Sequence, residues 1–116
     1  MSDSACLFCR IVRREIPATI VYENDDVLAF QDVAPKAPVH LLVIPKRHID
    51  GLQGLAPADA SVIASLFACV NRLAGESGIA VKGYRTVINA GSDGGQTVFH
   101  LHVHLLGGRQ MTWPPG

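Results

Sequence analysis

The sequence predicts an α+β domain in which a five-stranded, mostly antiparallel sheet carries one long and one short helix. Short β-prone runs recur along the chain, broken by polar turns, prolines and glycines, and only one stretch sustains helical periodicity. The 116 residues contain no repeat and no linker-like segment, so residues 1–116 read as a single domain. With 48% hydrophobic and 17% charged residues, the chain can bury a core.

The short helix is expected over Cys6 to Arg14, where Leu7, Phe8, Ile11 and Val12 share one side before Pro17 ends the run. Thr19 to Glu23 and Val27 to Gln31 flank Asn24-Asp25-Asp26, which gives a hairpin with a polar turn. Pro35 and Pro38 deny the next segment ladder hydrogen bonds, so it is a loop. His40 to Ile44 then forms a strand stopped by Pro45, with His40, Leu42 and Ile44 on one face. From Pro57 to about Ser77, Val62, Ile63, Leu66, Phe67, Val70 and Leu73 follow spacings of 3, 4 and 7; Pro57 suits the first turn and Gly78 the exit. Cys69 lies on the apolar side of this long helix and reads as a core residue. Tyr84 to Asn89 and His100 to Leu106 complete the sheet, separated by Gly91-Ser92-Asp93-Gly94-Gly95-Gln96.

Ten Lys and Arg balance ten Asp and Glu, so the chain has no general electrostatic pull toward nucleic acid or an anionic membrane. No apolar run approaches the roughly 20 residues of a membrane span. The opening Met1-Ser2-Asp3-Ser4 also lacks the basic-then-apolar pattern of a signal peptide. A cytoplasmic protein with neither a membrane nor a nucleic-acid partner is therefore expected. The three cysteines, Cys6, Cys9 and Cys69, are odd in number and too few for a disulfide scaffold. Cys6 and Cys9, at C-x-x-C spacing, point to thiol or metal chemistry.

The most informative segment is His100-Leu101-His102-Val103-His104, which concentrates three of the five histidines within five residues. On a strand, His100, His102 and His104 line one face at intervals of about 7 Å, while Leu101, Val103 and Leu105 line the core face. Such a row can divide metal binding, nucleophilic attack and proton donation among its members. The glycine-rich stretch just before it can turn main-chain N–H groups toward a bound anion, or it can be an ordinary flexible turn. His40 can stand beside the row and orient one imidazole. Asp32 can accept two hydrogen bonds from neighbouring ribose hydroxyls.

His100-Leu101-His102-Val103-His104-Leu105-Leu106 resembles the histidine-triad signature, alternating histidines closed by two apolar residues. The likeness extends to Arg14-Glu15-Ile16-Pro17, Ala37-Pro38-Val39-His40, Val43-Ile44-Pro45-Lys46, Gly83-Tyr84-Arg85 and Asn89. It continues through Gly91 to Gln96, Gly107-Gly108-Arg109-Gln110-Met111 and Trp113-Pro114-Pro115-Gly116. Together these resemble the Hint branch of the histidine triad (HIT) superfamily, the histidine triad nucleotide-binding proteins, over nearly the whole chain. The resemblance implies a HIT-like fold whose antiparallel sheet continues across a homodimer. It also implies hydrolysis of purine nucleoside 5′-phosphoramidates through a nucleotidyl-histidine intermediate, without a catalytic metal. Carried over by residue, it makes His102 the nucleophile, His104 its phosphate-contacting neighbour and His40 the histidine that supports the nucleophile. Asp32 matches the ribose-binding acid, with Val33 beside it. Asn89, Gly95, Gln96 and Thr97 match positions that hold the phosphate and nucleotide. Thr97 stands where animal members usually carry Ser, which keeps the hydroxyl and adds a methyl group. The final Trp113-Pro114-Pro115-Gly116 resembles a tail that reaches toward the partner subunit's active site.

Cys6-Leu7-Phe8-Cys9 departs from the animal form and resembles many bacterial members, which implies a structural zinc held by Cys6, Cys9, His48 and His100. Three rival readings stay open, one of them a purely zinc-holding interaction module, which predicts metal binding without nucleotide-dependent thermal stabilisation. A dinucleoside polyphosphate hydrolase or nucleotide phosphorylase of the same superfamily is disfavoured by the Hint-like tail. A nucleotide-binding or scaffold protein without catalysis is disfavoured by the intact His40, His102 and His104.

Overall fold

The computed structural model describes residues 3–116; Met1 and Ser2, part of the opening discussed above, lie outside them. Five strands form one sheet: β1 (Ile20–Glu23), β2 (Val27–Gln31), β3 (Val39–Pro45), β4 (Tyr84–Val87) and β5 (Val103–Gly107). Their order is β1-β2-β3-β5-β4 and every neighbouring pair is antiparallel. The expected α+β class, strand number and helices are all present. No described helix is long and apolar enough to cross a membrane.

The β1–β2 turn is held by Asn24, whose side-chain oxygen accepts from the main-chain N–H of Asp26 (2.8 Å) and Val27 (2.9 Å). Strand alternation then sorts β2 between two cores. Val27 and Ala29 face α2 (Ala60–Glu76), packing with Leu66, Cys69, Val70 and Leu73 and with Leu101, Val103 and Leu105. Leu28 and Phe30 face α1 (Leu7–Val12), joining Phe8, Cys9, Ile11, Leu42 and Ile44. The sheet thus has an apolar layer on each side, and the histidine row shares the α1 side. Burial among the α2 contacts pushes the Cys69 thiol up to about 11, in keeping with its expected core role.

Several boundaries differ from the sequence reading for local reasons. The short helix stops at Val12 because Arg14 turns the chain with φ of 64°. Pro57–Asp59 is a 3-10 turn leading into α2. The last strand begins at Val103, so His100 and His102 precede it. Their polar groups are satisfied outside the ladder: Leu101 N–H donates to Ile49 O at 2.7 Å, and the His100 and His102 rings bond to main-chain oxygens. The side chains still alternate as a strand would present them, with Leu101 in the α2 core and Phe8 against the His100 and His102 rings.

Candidate active site and metal centre

Register brings the first histidines together. Leu42 pairs with His104 across β3 and β5, so His40, two residues along the same face, lies diagonal to His104. Their rings meet with His40 Nε2 and His104 Nδ1 2.9 Å apart. The protons on these rings follow from main-chain groups. Lys36 N–H donates to His40 Nδ1 at 3.0 Å, so neutral His40 carries its proton on Nε2. That proton is donated to His104 Nδ1, leaving neutral His104 with an Nε2–H. His102 has the opposite arrangement: its Nδ1–H donates to His100 O at 2.7 Å, so Nε2 holds a bare lone pair. The His102 and His104 ring centroids are 5.0 Å apart. A lone pair and an N–H donor therefore sit on neighbouring rings.

Burial stabilises the uncharged forms. It lowers His40 against the opposing pull of the Asp32 carboxylate. It lowers His104 further, to about 4, with the neighbouring His102 and His40 rings acting in the same direction. Asp32 Oδ1 accepts from Ala34 N–H at 2.8 Å, and Oδ2 faces His40 Nε2 at 3.4 Å. Val33 beside it is 99% exposed, a bare apolar side chain next to a carboxylate. A cavity of about 360 Å³ reaches Asp32 and His40 but is walled by Val21, Leu73 and Ser77 and includes neither His102 nor His104, so it is not the reaction centre.

The glycine-rich segment is a closed turn rather than an open cradle of amides. Gly95 N–H donates to Ser92 O (3.1 Å), Gln96 N–H to Gly91 O (3.0 Å), and Gly91 N–H to Gln96 Oε1 (2.9 Å). Gly94 is required by space, since a Cβ there would lie 2.4 Å from Ala90 O. Gly95, at φ of 87°, lies against the Asn89 side chain, so these two predicted residues are brought together. Thr97 is exposed, beside a cavity it lines with Cys6, Leu7 and Phe99. Gln96 is buried, and its side chain bonds to Gly91, Asp50, Gln53 and Val98.

A second cluster joins Cys6, the N-cap of α1, with Cys9 one turn later, His48 and His100. Cys6 Sγ and Cys9 Sγ lie 3.4 and 3.5 Å from His100 Nδ1, and Cys9 Sγ lies 3.3 Å from His48 Nδ1. Tetrahedral zinc with bonds of about 2.3 Å to sulfur and about 2.05 Å to nitrogen sets sulfur and nitrogen about 3.5 Å apart, so the donor spacing fits. The tautomers fit as well. His100 Nε2–H donates to Pro45 O (2.8 Å) and His48 Nε2–H to Asp50 Oδ1 (2.7 Å), which frees both Nδ1 atoms to ligate. Cys6 and Cys9 are not joined by a disulfide. Asp32, His40 and His104 are also close enough to share an ion. His40 does not suit that role: its Nδ1 already accepts an N–H, so a metal on Nε2 would require the ring to lose its only proton.

Four contributors escaped the sequence reading. Phe8 packs edge-on against both His100 and His102, with centroids 5.9 and 5.1 Å away. The Lys36 amide sets the His40 tautomer, the His100 carbonyl sets that of His102, and Asp50 orients His48. Only Phe8, between the two cysteines, and Asp50, two residues after His48, leave a trace in sequence. The C-terminal tail meets the fold through Arg85, which donates to Thr112 O at 2.9 Å, and Arg109, which donates to Lys36 O at 3.1 Å; Trp113 is 82% exposed.

Comparison with known proteins places the geometry in a family. The chain is 50% identical to the 14 kDa zinc-binding protein of Zea mays, covering 100% of this chain and 91% of that one. It is 49% identical to Adenylylsulfatase HINT1 of Arabidopsis thaliana, covering 99% and 79%. The crystal structure of a HIT family hydrolase from Legionella pneumophila Philadelphia 1 superimposes with a TM-score of 0.94 at 51% identity, covering 96% of this chain and 99% of that one. The HIT domain family model matches residues 13–111, and with these relatives in view the chain belongs to the HIT domain family, close to its Hint branch.

Proposed function

We propose that the protein is a purine nucleoside 5′-phosphoramidate hydrolase. The observation that carries this reading is the pair of opposed tautomers: a bare Nε2 on His102 beside an Nε2–H on His104. His102 Nε2 attacks the α-phosphorus as the P–N bond breaks, and the electron pair leaves with the nitrogen. The departing amine takes its proton through the His104 N–H or the Thr97 hydroxyl, made up from solvent. Water then cleaves the nucleotidyl-histidine, releasing nucleoside monophosphate and restoring His102. His104 Nε2–H stabilises charge on the phosphoryl oxygens, and His40 supports the catalytic pair by fixing the His104 tautomer. Asp32 holds the ribose with Val33 against the nucleoside. Asn89, Gly95, Gln96 and Thr97 make up the phosphate-holding segment.

Cys6, Cys9, His48 and His100 would hold a structural zinc, which supplies a rigid cross-link and no reaction step. A reducing cytoplasm would keep Cys6 and Cys9 as thiols. β4 is an edge strand, and the sheet would continue from it across a homodimer.

The test is rapid quenching of the protein with adenosine 5′-phosphoramidate, followed by mass mapping. Nucleotide on His102 is the expected result, and turnover without it would refute the assignment. A second reading comes from the relative named as an adenylylsulfatase, in which the leaving group is sulfate. Sulfate departs without a proton, whereas an amine needs one, so the His104 N–H favours the phosphoramidate. Parallel rates on adenosine phosphoramidate, adenylyl sulfate and diadenosine polyphosphate decide among these substrates; binding without turnover of any would leave a nucleotide-binding protein.

A further inference from the structure

Gln96 is 5% exposed, although Gly95 and Thr97 on either side of it are open to solvent. Its Nε2 donates to Asp50 O at 2.7 Å and to Val98 O at 3.2 Å. Its Oε1 accepts from Gly91 N–H at 2.9 Å and from Gln53 Nε2 at 3.3 Å. Two carbonyls on one side and an amide N–H on the other fix the orientation of the carboxamide. Both donors and both lone pairs are spent within the protein, which leaves the side chain nothing to offer a phosphate.

The bonds span the loop. Gly91 is its first residue, Val98 lies just past its end, and Asp50 is an outside anchor whose carboxylate also orients His48. Gly51 shows how closely the carboxamide is packed. A Cβ there would lie 2.9 Å from Gln96 Nε2 and 2.6 Å from Gln53 Oε1. The Gly51 backbone, with φ of 169°, is extended and open to any residue, so an added Cβ would act on the Gln53 and Gln96 side chains and not on the main chain.

We propose that Gln96 is the positioning residue of the phosphate-holding segment: its carboxamide clamps Gly91 and Val98 to the Asp50 carbonyl and so holds the intervening Gly95 and Thr97 in place, without touching nucleotide. The inference rests on the hydrolase reading for the identity of the held group. It separates Gln96 from the nucleotide contacts with which its neighbours are grouped.

The experiment compares Gln96→Glu and Gly51→Ala with the wild-type protein. The first keeps the shape of the side chain and sets a carboxylate against two carbonyls; the second displaces the carboxamide from behind and leaves Gln96 intact. Both should weaken AMP binding by about tenfold or more, the scale of one lost hydrogen bond to a charged group, with adenosine binding within about twofold of wild type. Both should also speed hydrogen exchange of the Gly91 amide by about tenfold or more. Turnover should fall mainly in kcat. Normal AMP affinity in Gly51→Ala beside a loss in Gln96→Glu would assign the carboxamide to the nucleotide and overturn the proposal. Unchanged Gly91 exchange in both variants would overturn it as well. Equal losses of adenosine and AMP affinity, in step with thermal stability, would reduce Gln96 to a folding residue and likewise overturn it. A wild-type protein inert toward phosphoramidates would sink the hydrolase reading alone, because AMP-against-adenosine binding and Gly91 exchange would still decide the role of Gln96.

Discussion

His102 donates its Nδ1–H to the main-chain oxygen of His100, and the ring of that same His100 points its Nδ1 at Cys6 and Cys9. One residue therefore belongs to both centres: its side chain to the thiol cluster, its carbonyl to the proposed nucleophile. Phe8, on the helix between the two cysteines, packs against both rings and closes the link from the other side. The cluster is thus built into the support of the proposed nucleophile.

Removal of the His102 ring should abolish turnover while sparing the pocket. The side chain is buried and its hydrogen bond among the described residues goes to His100 O, so His102→Gly should leave Asp32, Asn89 and the glycine loop in place. Phosphoramidate turnover should fall by about 10⁴-fold or more, the scale of losing a covalent nucleophile. AMP affinity by calorimetry should change by less than about tenfold. Appreciable turnover in the variant would mean another group attacks.

His40 should act on His104 through the proton it donates. Replacing it with Phe preserves a ring but removes the Nε2–H that holds His104 in the Nε2–H tautomer. The ¹⁵N shifts of His104 should move from that single tautomer toward a mixture, and phosphoramidate turnover should drop by about 10²-fold. Cleavage of adenylyl sulfate, whose leaving group needs no proton, should suffer less. Unchanged His104 shifts would show that some other group sets its tautomer.

Much of this arrangement was legible in sequence because it depends on strand alternation. Val27 and Ala29 separate from Leu28 and Phe30 as period two demands, and the triad histidines separate from Leu101, Val103 and Leu105 in the same way. The start of the last strand was not legible, since its ladder is set by register against Val39 to Val43, far away in the chain. The tautomers were hidden for a related reason: the Lys36 amide and the His100 carbonyl belong to residues whose types say nothing about where their main-chain groups point. Gln96 sits in a motif easily read as phosphate-binding, and only closure onto Asp50, 46 residues earlier, shows its carboxamide to be occupied.

The thiol cluster should hold one zinc per chain, and its loss should be visible in stability before activity is measured. Chelation, or Cys9→Ser, removes the cross-link that a zinc ion at this donor spacing would make between α1, His48 and His100. A loss of a few kcal/mol corresponds to a fall in Tm of about 10 °C or more for a domain of this size. Elemental analysis and thermal melts check both parts. Substoichiometric zinc together with an unchanged melt in chelator would remove the metal from the account.

Stability should fall on mild acidification because His104 resists protonation in the folded protein. Burial, helped by the His102 and His40 rings, lowers it from the ordinary value of 6.5 to about 4, and His40 is lowered in the same sense. Between those values the unfolded chain binds a proton that the folded chain does not, so unfolding is favoured as pH drops through the window. Above about 6.5 this contribution is complete and flat; below about 4 both states are protonated and no further loss accrues. The window from 6.5 to about 4 caps the effect at roughly 3 to 4 kcal/mol, and solvent around the partly exposed ring reduces it below that ceiling. Urea denaturation at pH 7 and pH 4.5 should therefore show a larger loss in wild type than in His104→Gln, which cannot titrate. Matching losses in the two proteins would mean that His104 charges as readily folded as unfolded, and the neutral donor beside His102 would have to be abandoned.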